Sequence, residues 1–387
     1  MKTYLVGGAV RDALMGLPMR DRDWVVVGAT PQALHEAGYV QVGRDFPVFL
    51  HPHSKDEYAL ARTERKTAPG YRGFAVQADP SVTLEEDLAR RDLTINAIAV
   101  PADAVAADGT VELTHLIDPF RGREDIAAKV LRHCTAAFHE DPVRILRLAR
   151  FAARFPDYRV APETLVLMQQ MVAQGEVDHL VSERVWQELA RALMETRPAR
   201  ALEVLQACGA WQRLLPEIDA LDDCAQVLQL AARKDADLAV RFACLTHRLG
   251  PDQGVRLQAL CRRLRVPLEC SELADVVARE HGPIDACAAL DATHLVRLLE
   301  RCDALRKPAR FADVLLACES IYGVRHGSAP GAYPQRPWLW RALEKVRAVV
   351  TETIATEAMA AGLQGRDIGE RVRLARVAAL QDHAWYA

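Results

Sequence analysis

The sequence lacks the features that mark membrane, secreted or metal-thiolate proteins. Its apolar runs are far shorter than the roughly 20 residues that a transmembrane helix needs, so we expect no membrane span. Its nine cysteines are odd in number and contain no Cys-x-x-Cys pair, which argues against a zinc knuckle and a dithiol redox centre. We therefore expect buried thiols in a protein of the reducing cytoplasm.

An excess of positive charge is also absent, since the formal net charge is −3. This balance excludes a protein that coats nucleic acid through bulk charge, although a local basic stripe is enough for phosphate contacts. Such a stripe is predicted on a helix over 141–154, where arginines recur at helical spacing: Arg144, Arg147, Arg150 and Arg154. Acidic partners at the four-residue offset are absent after Asp141, which favours RNA binding over a solvated charged face.

What is present is concentrated in the first hundred residues. Residues 5–12, LVGGAVRD, are typical of a strand, a double-glycine turn and a helix, an arrangement suited to phosphate binding. Asp21 and Asp23 lead into an apolar strand, on which they would project the same way and favour a hard cation such as Mg²⁺. Residues 87–97, DLARRDLTINA, add paired arginines that suit phosphate. The three segments predict a metal-dependent nucleotidyl-transfer site.

Apolar patterning predicts an α+β fold, with a small mixed sheet followed by an all-helical remainder. Strands are predicted over 3–7, 23–28, 39–42, 47–51 and 57–62, and helices over 9–15, 31–37 and 83–91. Residues 63–80 lack periodicity and predict a mobile functional loop, and residues 101–116 predict a loop or hairpin insertion. Further helices are predicted over 121–127, 141–154, 162–173, 182–195, 199–207 and most of 223–384.

These segments resemble those of a known family. In order, they are LVGGAVRD, the Asp21/Asp23 pair, YALARTERK at 58–66, DLARRDLTINA at 87–97, HEDPVRILRLARFAAR at 139–154 and SERVWQEL at 182–189. Class II tRNA nucleotidyltransferases, the bacterial CCA-adding enzymes, carry similar segments in this order, and the resemblance extends to about residue 220. It implies a nucleotidyltransferase head at 1–137, a helical neck and body that reads the base and binds RNA at 138–220, and a helical tRNA-binding domain at 221–387.

The resemblance also implies an activity, a cofactor and a set of catalytic residues. The activity is addition and repair of the 3′-terminal CCA of tRNA from CTP and ATP, without a nucleic-acid template. Asp21 and Asp23 would be catalytic and would hold Mg²⁺. Gly8, Arg11 and Arg91 would contact the triphosphate. The implied partners are tRNA, CTP and ATP, and a monomer is favoured.

A second motif, EDPVR at 140–144, is implied to read the nucleotide base. Cytosine and adenine each present an amino donor beside a ring-nitrogen acceptor, which suits a carboxylate at Asp141 and a guanidinium at Arg144. Uracil and guanine present the reverse pattern and would leave buried polar groups mispaired. Arg147 would complete the nucleotide contacts. The alternative that Asp141 simply opens a helix, with Pro142 in its first turn, is compatible with this role.

The C-terminal part departs from the family pattern in one informative place. Some relatives carry a phosphohydrolase domain built on a His-Asp pair, but in FACLTHRLG at 242–250 His247 is followed by Arg248. A cation in place of an anionic ligand would repel a metal ion. We expect a degenerate domain without phosphohydrolase activity.

Three other functions remain open at this stage. A bacterial poly(A) polymerase shares the head motifs, and an enzyme that adds only CC or only A would share them as well. A catalytically silent RNA-binding protein with the same fold is the remote alternative, although the intact motif residues argue against it.

Overall fold

A computed structural model describes residues 1–19, 21–42, 48–66, 74–106, 110–250, 254–327 and 333–381. They divide into two compact units, the first made of Met1–Ala192 with Arg200–Leu214 and the second of Leu193–Ala199 with Leu215–Ala387. The three-domain division at 137 and 220 stays a prediction. No helix in the described ranges combines the length and apolar character needed to cross a membrane.

A six-stranded mixed sheet organises the N-terminal part of the first unit. Its strand order is β3-β4-β5-β2-β1-β8, in which only the β2–β5 pair is parallel. The strands are β1 Lys2–Val6, β2 Asp23–Val27, β3 Val40–Val42, β4 Val48–Leu50, β5 Glu57–Leu60 and β8 Ala99–Pro101. Two smaller pairs are β6 Arg62–Lys66 with β7 Phe74–Ala78, and β9 Val130–Leu131 with β10 Arg159–Val160.

Both faces of the large sheet are covered. Because side chains alternate along a strand, Val6 and Val25 belong to one buried cluster, while Leu5 and Trp24 belong to another. This two-sided burial explains why the central strands are nearly continuous apolar runs in the sequence.

Helices surround the sheet and continue beyond it. In the first unit they are α1 Gly8–Leu14, α2 Pro31–Glu36, α3 Leu84–Ala89, α4 Gly122–Ala128, α5 Val143–Arg154, α6 Pro162–Ala173, α7 Ser182–Leu193, α8 Pro198–Ala207 and α9 Ala210–Leu214. Those of the second unit are α10 Leu221–Arg233, α11 Leu238–Thr246, α12 Gly254–Leu264, α13 Leu268–Asp285, α14 Ala292–Arg301, α15 Pro308–His326, α16 Gln335–Arg347, α17 Thr351–Ala360 and α18 Arg366–Gln381. The predicted α+β class is confirmed.

One sequence-based prediction about the first unit is wrong. A mobile functional loop is predicted for residues 63–80, but half of them, 63–66 and 74–78, lie in the paired antiparallel strands β6 and β7. The pattern RTERK of β6 is too polar to indicate a strand, and its pairing comes from backbone hydrogen bonds. The tip of this segment, 67–73, lies outside the described residues.

Candidate active site

A cleft opens at one end of the sheet, where β1 finishes and β2 begins. Antiparallel register places Val6 opposite Asp23, so the glycine turn after β1 meets the carboxylate that begins β2. The cavity has a volume of about 540 Å³. Among the described residues, its lining includes nine arginines and four carboxylates: Arg11, Arg62, Arg90, Arg91, Arg144, Arg147, Arg150, Arg154, Arg184, Asp23, Glu57, Asp92 and Asp141. This excess of cations favours a polyanionic ligand.

The double-glycine turn is shaped by two guanidinium groups. Gly7 has a φ of +71°, in the left-handed region that favours glycine. A Cβ on Gly7 would lie only 2.9 Å from Nη1 of Arg91, and a Cβ on Gly8 would lie 3.5 Å from Nη2 of Arg11. The first glycine is therefore favoured by its backbone conformation, and a side chain there would also displace the end of the Arg91 guanidinium.

The side chain of Arg11, on α1, is almost fully buried, and hydrogen bonds fix its guanidinium. Its Nε and Nη2 donate to Oδ1 of Asp12 at 2.9 and 2.7 Å, and its Nη1 donates to Oδ1 of Asn96 at 2.6 Å. The guanidinium also lies 5.4 and 5.2 Å from the ring centroids of Phe151 and Phe155. Burial lowers the pKa of Arg11, and the Asp12 carboxylate opposes that effect.

Asp92 is the carboxylate that joins the head to α5. Its Oδ2 accepts from Nε of Arg147 at 2.8 Å, and its Oδ1 accepts from Nδ2 of Asn96 at 3.1 Å. Burial opposes the charged form of Asp92, but the Arg147 guanidinium and the Asn96 hydrogen bond outweigh it and lower the pKa to about 2. Asn96 also accepts from Arg11, so Asp92 is linked to two arginines of the cleft lining, to Arg147 directly and to Arg11 through Asn96.

The arginine stripe of α5 is paired, contrary to the expectation drawn from its local sequence. Nε of Arg150 lies 2.8 Å from Oε2 of Glu188 on α7, and Nη2 of Arg154 lies 3.0 Å from Oδ2 of Asp12 on α1. Looking for acidic residues four positions away on the same helix does not find these partners, because they come from distant segments of the chain. The stripe lines the cleft, and carboxylates of the described residues compensate the charge of all its members but Arg144.

Asp141 precedes α5 and interacts with both backbone and side chain. Its Oδ1 accepts from the backbone N–H of Val143 at 3.1 Å, so Asp141 does contact the first residue of α5. The N-cap is Pro142, however, and not Asp141, and Pro142 does not lie in the first turn as predicted. Arg184 of α7 donates to both carboxylate oxygens, at 2.8 Å from Nη2 and 3.3 Å from Nη1. The base-reading role of Asp141 stays a prediction.

Arg144 lies three residues beyond Asp141, in the first turn of α5, and is buried. Its Nη1 donates to the carbonyl of Ala137 at 2.6 Å, and its Nη2 donates to the carbonyl of Arg90 at 2.5 Å. These bonds use two of its five N–H groups. The guanidinium is therefore anchored by backbone while it lines the cleft.

The acidic end of the cleft contains Asp23 and a neighbour that the sequence analysis missed. Parallel register places Asp23 beside Glu57 of β5, so both carboxylates project to one face of the sheet. Partial desolvation raises the pKa of Asp23, nearby Asp21 adds to this, and Arg91 opposes it. Asp21 lies before β2, so strand alternation does not fix its direction.

The donor set at this end fits a hard divalent cation. The oxygens of Asp21 and Asp23 are the ligands that Mg²⁺ prefers. Desolvation is the main cause of the raised pKa of Asp23, and a cation between the two carboxylates would relieve the repulsion that Asp21 adds to it. Within the described parts of the chain, no three His, Cys, Asp or Glu side chains converge closely enough to bind a metal ion. Further ligands would have to come from elsewhere, such as phosphate or water.

The cleft brings together nearly all of the residues singled out from sequence. Those that line it are Gly8, Arg11, Asp23, Arg91, Asp141, Arg144 and Arg147, whereas Asp21 does not belong to the lining. Their roles toward a nucleotide stay predictions. Sequence reasoning gave no role to Arg184, although the motif SERVWQEL contains it. Glu57 carried no sequence signal, because its place beside Asp23 depends on the strand order.

The second unit holds the region where a His-Asp pair was considered. His247 is fully buried, and its Nδ1 lies 2.8 Å from the carbonyl oxygen of Cys244. Its Nε2 lies 3.2 Å from Oδ2 of Asp223, and Nη1 of Arg248 lies 3.7 Å from the same oxygen. The carboxylate nearest to His247 is thus already close to a guanidinium.

Known proteins similar to this chain decide the family. A model of the poly(A) polymerase head domain matches residues 3–132, and a model described as a probable RNA- and SrmB-binding site of polymerase A matches residues 157–222. A multifunctional CCA protein of Polaromonas naphthalenivorans (strain CJ2) is 55% identical over 99% of both chains. Another, from Verminephrobacter eiseniae (strain EF01-2), is 57% identical over 98% of both chains. The chain belongs to the bacterial CCA-adding enzyme family.

Solved structures share the fold of this family member. A CCA-adding enzyme in complex with CTP has a TM-score of 0.69 at 22% identity, covering 98% of this chain and 87% of that one. A tRNA nucleotidyltransferase complexed with a primer tRNA and an incoming ATP analogue has a TM-score of 0.63 at 24% identity, covering 90% and 96%. The prediction of a nucleotidyltransferase is confirmed by the family relationship.

The lowered pKa of Asp92 predicts how the free energy of unfolding depends on pH. Because its pKa is lowered from 3.8 to about 2, the charged carboxylate stabilises the fold above pH 4, and this stabilisation is lost as pH falls to about 2. A shift of this size corresponds to roughly 2 kcal/mol. The difference in free energy of unfolding between wild type and Asp92→Asn, measured by urea denaturation, should therefore shrink between pH 4 and pH 2. Asp103→Asn, at an exposed site, is the control. A difference for Asp92→Asn that is independent of pH would contradict the assignment.

Proposed function

We propose that this chain adds and repairs the 3′-terminal CCA of tRNA, using CTP and ATP without a nucleic-acid template. The observation that carries the proposal is the cleft, which combines the glycine turn, Asp23 and Arg91 with Asp141 and Arg144. Relatives named multifunctional CCA proteins match over nearly their full length and support it. The shared fold with CCA-adding enzymes solved with CTP and with ATP is consistent with it.

The glycine turn and its two guanidiniums would bind the triphosphate. In this reaction the RNA 3′-hydroxyl attacks the α-phosphorus in line, and pyrophosphate leaves. Gly8 would offer its backbone, and Arg11 and Arg91 would donate to the phosphate oxygens. The Arg91 side chain is partly exposed and lines the cleft, which supports a ligand beside it. Preformed cations of this kind act by positioning and electrostatic stabilisation.

Asp21 and Asp23 are the proposed ligands for Mg²⁺ and the proposed catalytic residues. When bound, the ion would lower the pKa of the attacking hydroxyl and neutralise charge on the triphosphate. Asp23 is held by β2 at the mouth of the cleft, opposite the last residue before the glycine turn. This position supports a role for Asp23 as a metal ligand beside phosphates bound at the turn.

Asp141, Arg144 and Arg147 are the proposed base-reading and nucleotide-binding residues of α5 and its start. The Asp141 carboxylate would accept from the amino group of cytosine or adenine, and Arg144 would donate to the adjacent ring nitrogen. The carboxylate accepts three described bonds out of about four available sites, so it retains room for one amino donor. Arg147 is fixed by Asp92 on the same side of the helix.

The tail that is added to tRNA distinguishes the proposed function from its rivals. Purified protein with Mg²⁺, CTP, ATP and tRNA lacking its CCA end should add CCA and stop. A poly(A) tail, a CC or A tail, or no tail would identify a poly(A) polymerase, a partial-specificity enzyme or a silent RNA-binding protein.

Asp21→Ala and Asp23→Ala should both abolish incorporation while tRNA binding, measured by filter retention, stays close to wild type. Near-normal turnover by either variant would refute its role as metal ligand.

Asp141→Asn separates base reading from helix capping. Asparagine still caps a helix, but it replaces one acceptor oxygen with an amide donor. We expect the preference for CTP and ATP over UTP and GTP to fall about tenfold, the effect of mispairing one buried polar group. Incorporation of all four nucleotides measures this preference.

A matched control for Asp141→Asn is available on another helix. Asp118 accepts from the backbone N–H groups of Gly122 and Arg123 at the start of α4, outside the cleft lining, so Asp118→Asn should leave nucleotide preference unchanged. Full selectivity in Asp141→Asn would show that Asp141 only opens the helix.

We also propose that the second unit has no phosphohydrolase activity. The proximity of Arg248 to Asp223 supports this, because a guanidinium beside the carboxylate disfavours a metal ion there. Phosphatase and 2′,3′-cyclic phosphodiesterase assays with Mg²⁺, Mn²⁺, Ni²⁺ or Co²⁺ should show no turnover. Activity that disappears in His247→Ala would overturn the proposal.

A further inference from the structure

Asp87 is a buried carboxylate to which the nucleotide site gives no direct role. It lies on α3, its side chain is fully inaccessible, and it is not part of the cleft lining. The N-terminus of α3 is already capped by the reciprocal hydrogen bonds of Thr83 and Glu86, so Asp87 is not needed as a cap. A buried charge is costly unless it is paired, and its partners therefore indicate its purpose.

The first partners of Asp87 form a clamp on the β6–β7 hairpin. Oδ1 of Asp87 accepts from Nη2 and Nε of Arg90 at 2.6 and 3.0 Å, and from the backbone N–H of Arg62 at 3.3 Å. Nε of Arg90 also donates to the carbonyl oxygen of Arg62 at 3.0 Å. Both backbone polar groups of Arg62, the first residue of β6, are therefore held by one ion pair.

The same short segment reaches the two halves of the proposed nucleotide site. Oδ2 of Asp87 accepts from Nη2 of Arg91 at 3.3 Å, while Nη1 of Arg91 lies against Gly7. The backbone carbonyl of Arg90 accepts from Arg144. Residues 87–91 therefore connect three parts of the proposed site. These are Arg62 at the root of the hairpin, Arg91, which is proposed to bind phosphate, and Arg144, which is proposed to read the base.

We infer that Asp87 is a positioning residue, which through Arg90 and Arg91 fixes the β6–β7 hairpin root and sets nucleotide affinity and base selection. This inference rests on the proposed function, because it assigns Arg91 to the triphosphate and Arg144 to the base. Arg90 transmits the constraint in two directions, since its side chain grips Arg62 and its carbonyl anchors Arg144. Asp87 itself touches no nucleotide.

The test is the steady-state kinetics of Asp87→Asn with each of the four nucleotides. Asparagine preserves shape and one acceptor, but its amide nitrogen cannot accept from Arg91. We expect KM for CTP and ATP to rise about tenfold, as for the loss of a hydrogen bond between charged groups. Discrimination against UTP and GTP should fall severalfold. Glu85→Gln, at an exposed position on the same helix, is the matched control and should behave as wild type.

A purely structural role would give a different result. It would lower the folded fraction, and hence the apparent kcat for all nucleotides equally, while KM and base selection remained at wild-type values. That result would overturn the inference, as would wild-type kinetics throughout.

A second variant covers the case in which Asp87→Asn does not fold. Arg90→Lys keeps the positive charge but loses the planar fork that grips Asp87 and Arg62 together. We expect raised KM and weakened base selection in this variant too, and unchanged values would refute the inference. Wild-type protein is assayed in parallel to separate the two claims. If wild type fails to add CCA, the proposed function is wrong, whereas unchanged kinetics in the variants alone count against the role of Asp87.

Discussion

The first unit depends on pairing the arginines that line the cleft with buried carboxylates. A cleft for a triphosphate needs fixed cations, but cations crowded at the end of a sheet repel one another and are costly to desolvate. Asp12, Asp87, Asp92 and Glu188 resolve this conflict by accepting from arginines that face the cleft. Each guanidinium has five N–H groups, so pairing with one carboxylate leaves donors for a ligand. The cations are therefore in place before a nucleotide arrives.

This pairing also explains how separate segments form one site. Arg154 joins α5 to α1, Arg150 joins α5 to α7, and Arg147 joins α5 to the segment that follows α3. The helix that carries the proposed base-reading groups is thereby locked onto the sheet that carries the proposed phosphate-binding turn. Preorganised charge of this kind stabilises a transition state without reorganisation during the reaction, which is how a site with little covalent chemistry can be effective.

Much of this arrangement could be predicted from sequence, for identifiable reasons. Apolar periodicity predicted β1, β2 and α5 to within about two residues, because both faces of the sheet and one face of the helix are buried. The position of Glu57 beside Asp23 could not be predicted, since it depends on strand order. The partners of Arg150 and Arg154 were missed because they are long-range contacts, and the polar strand β6 was missed because its pairing is carried by backbone.

The central claim is that one cleft binds the triphosphate at the glycine turn and the base at the start of α5. A crystal structure of the protein with CTP and Mg²⁺ but no RNA tests this most directly. The account predicts phosphate density against Gly8 and Arg91, with the cytosine amino group at Asp141 and its N3 at Arg144. Cytosine bound away from Asp141 and Arg144, or phosphates away from the glycine turn, would contradict it.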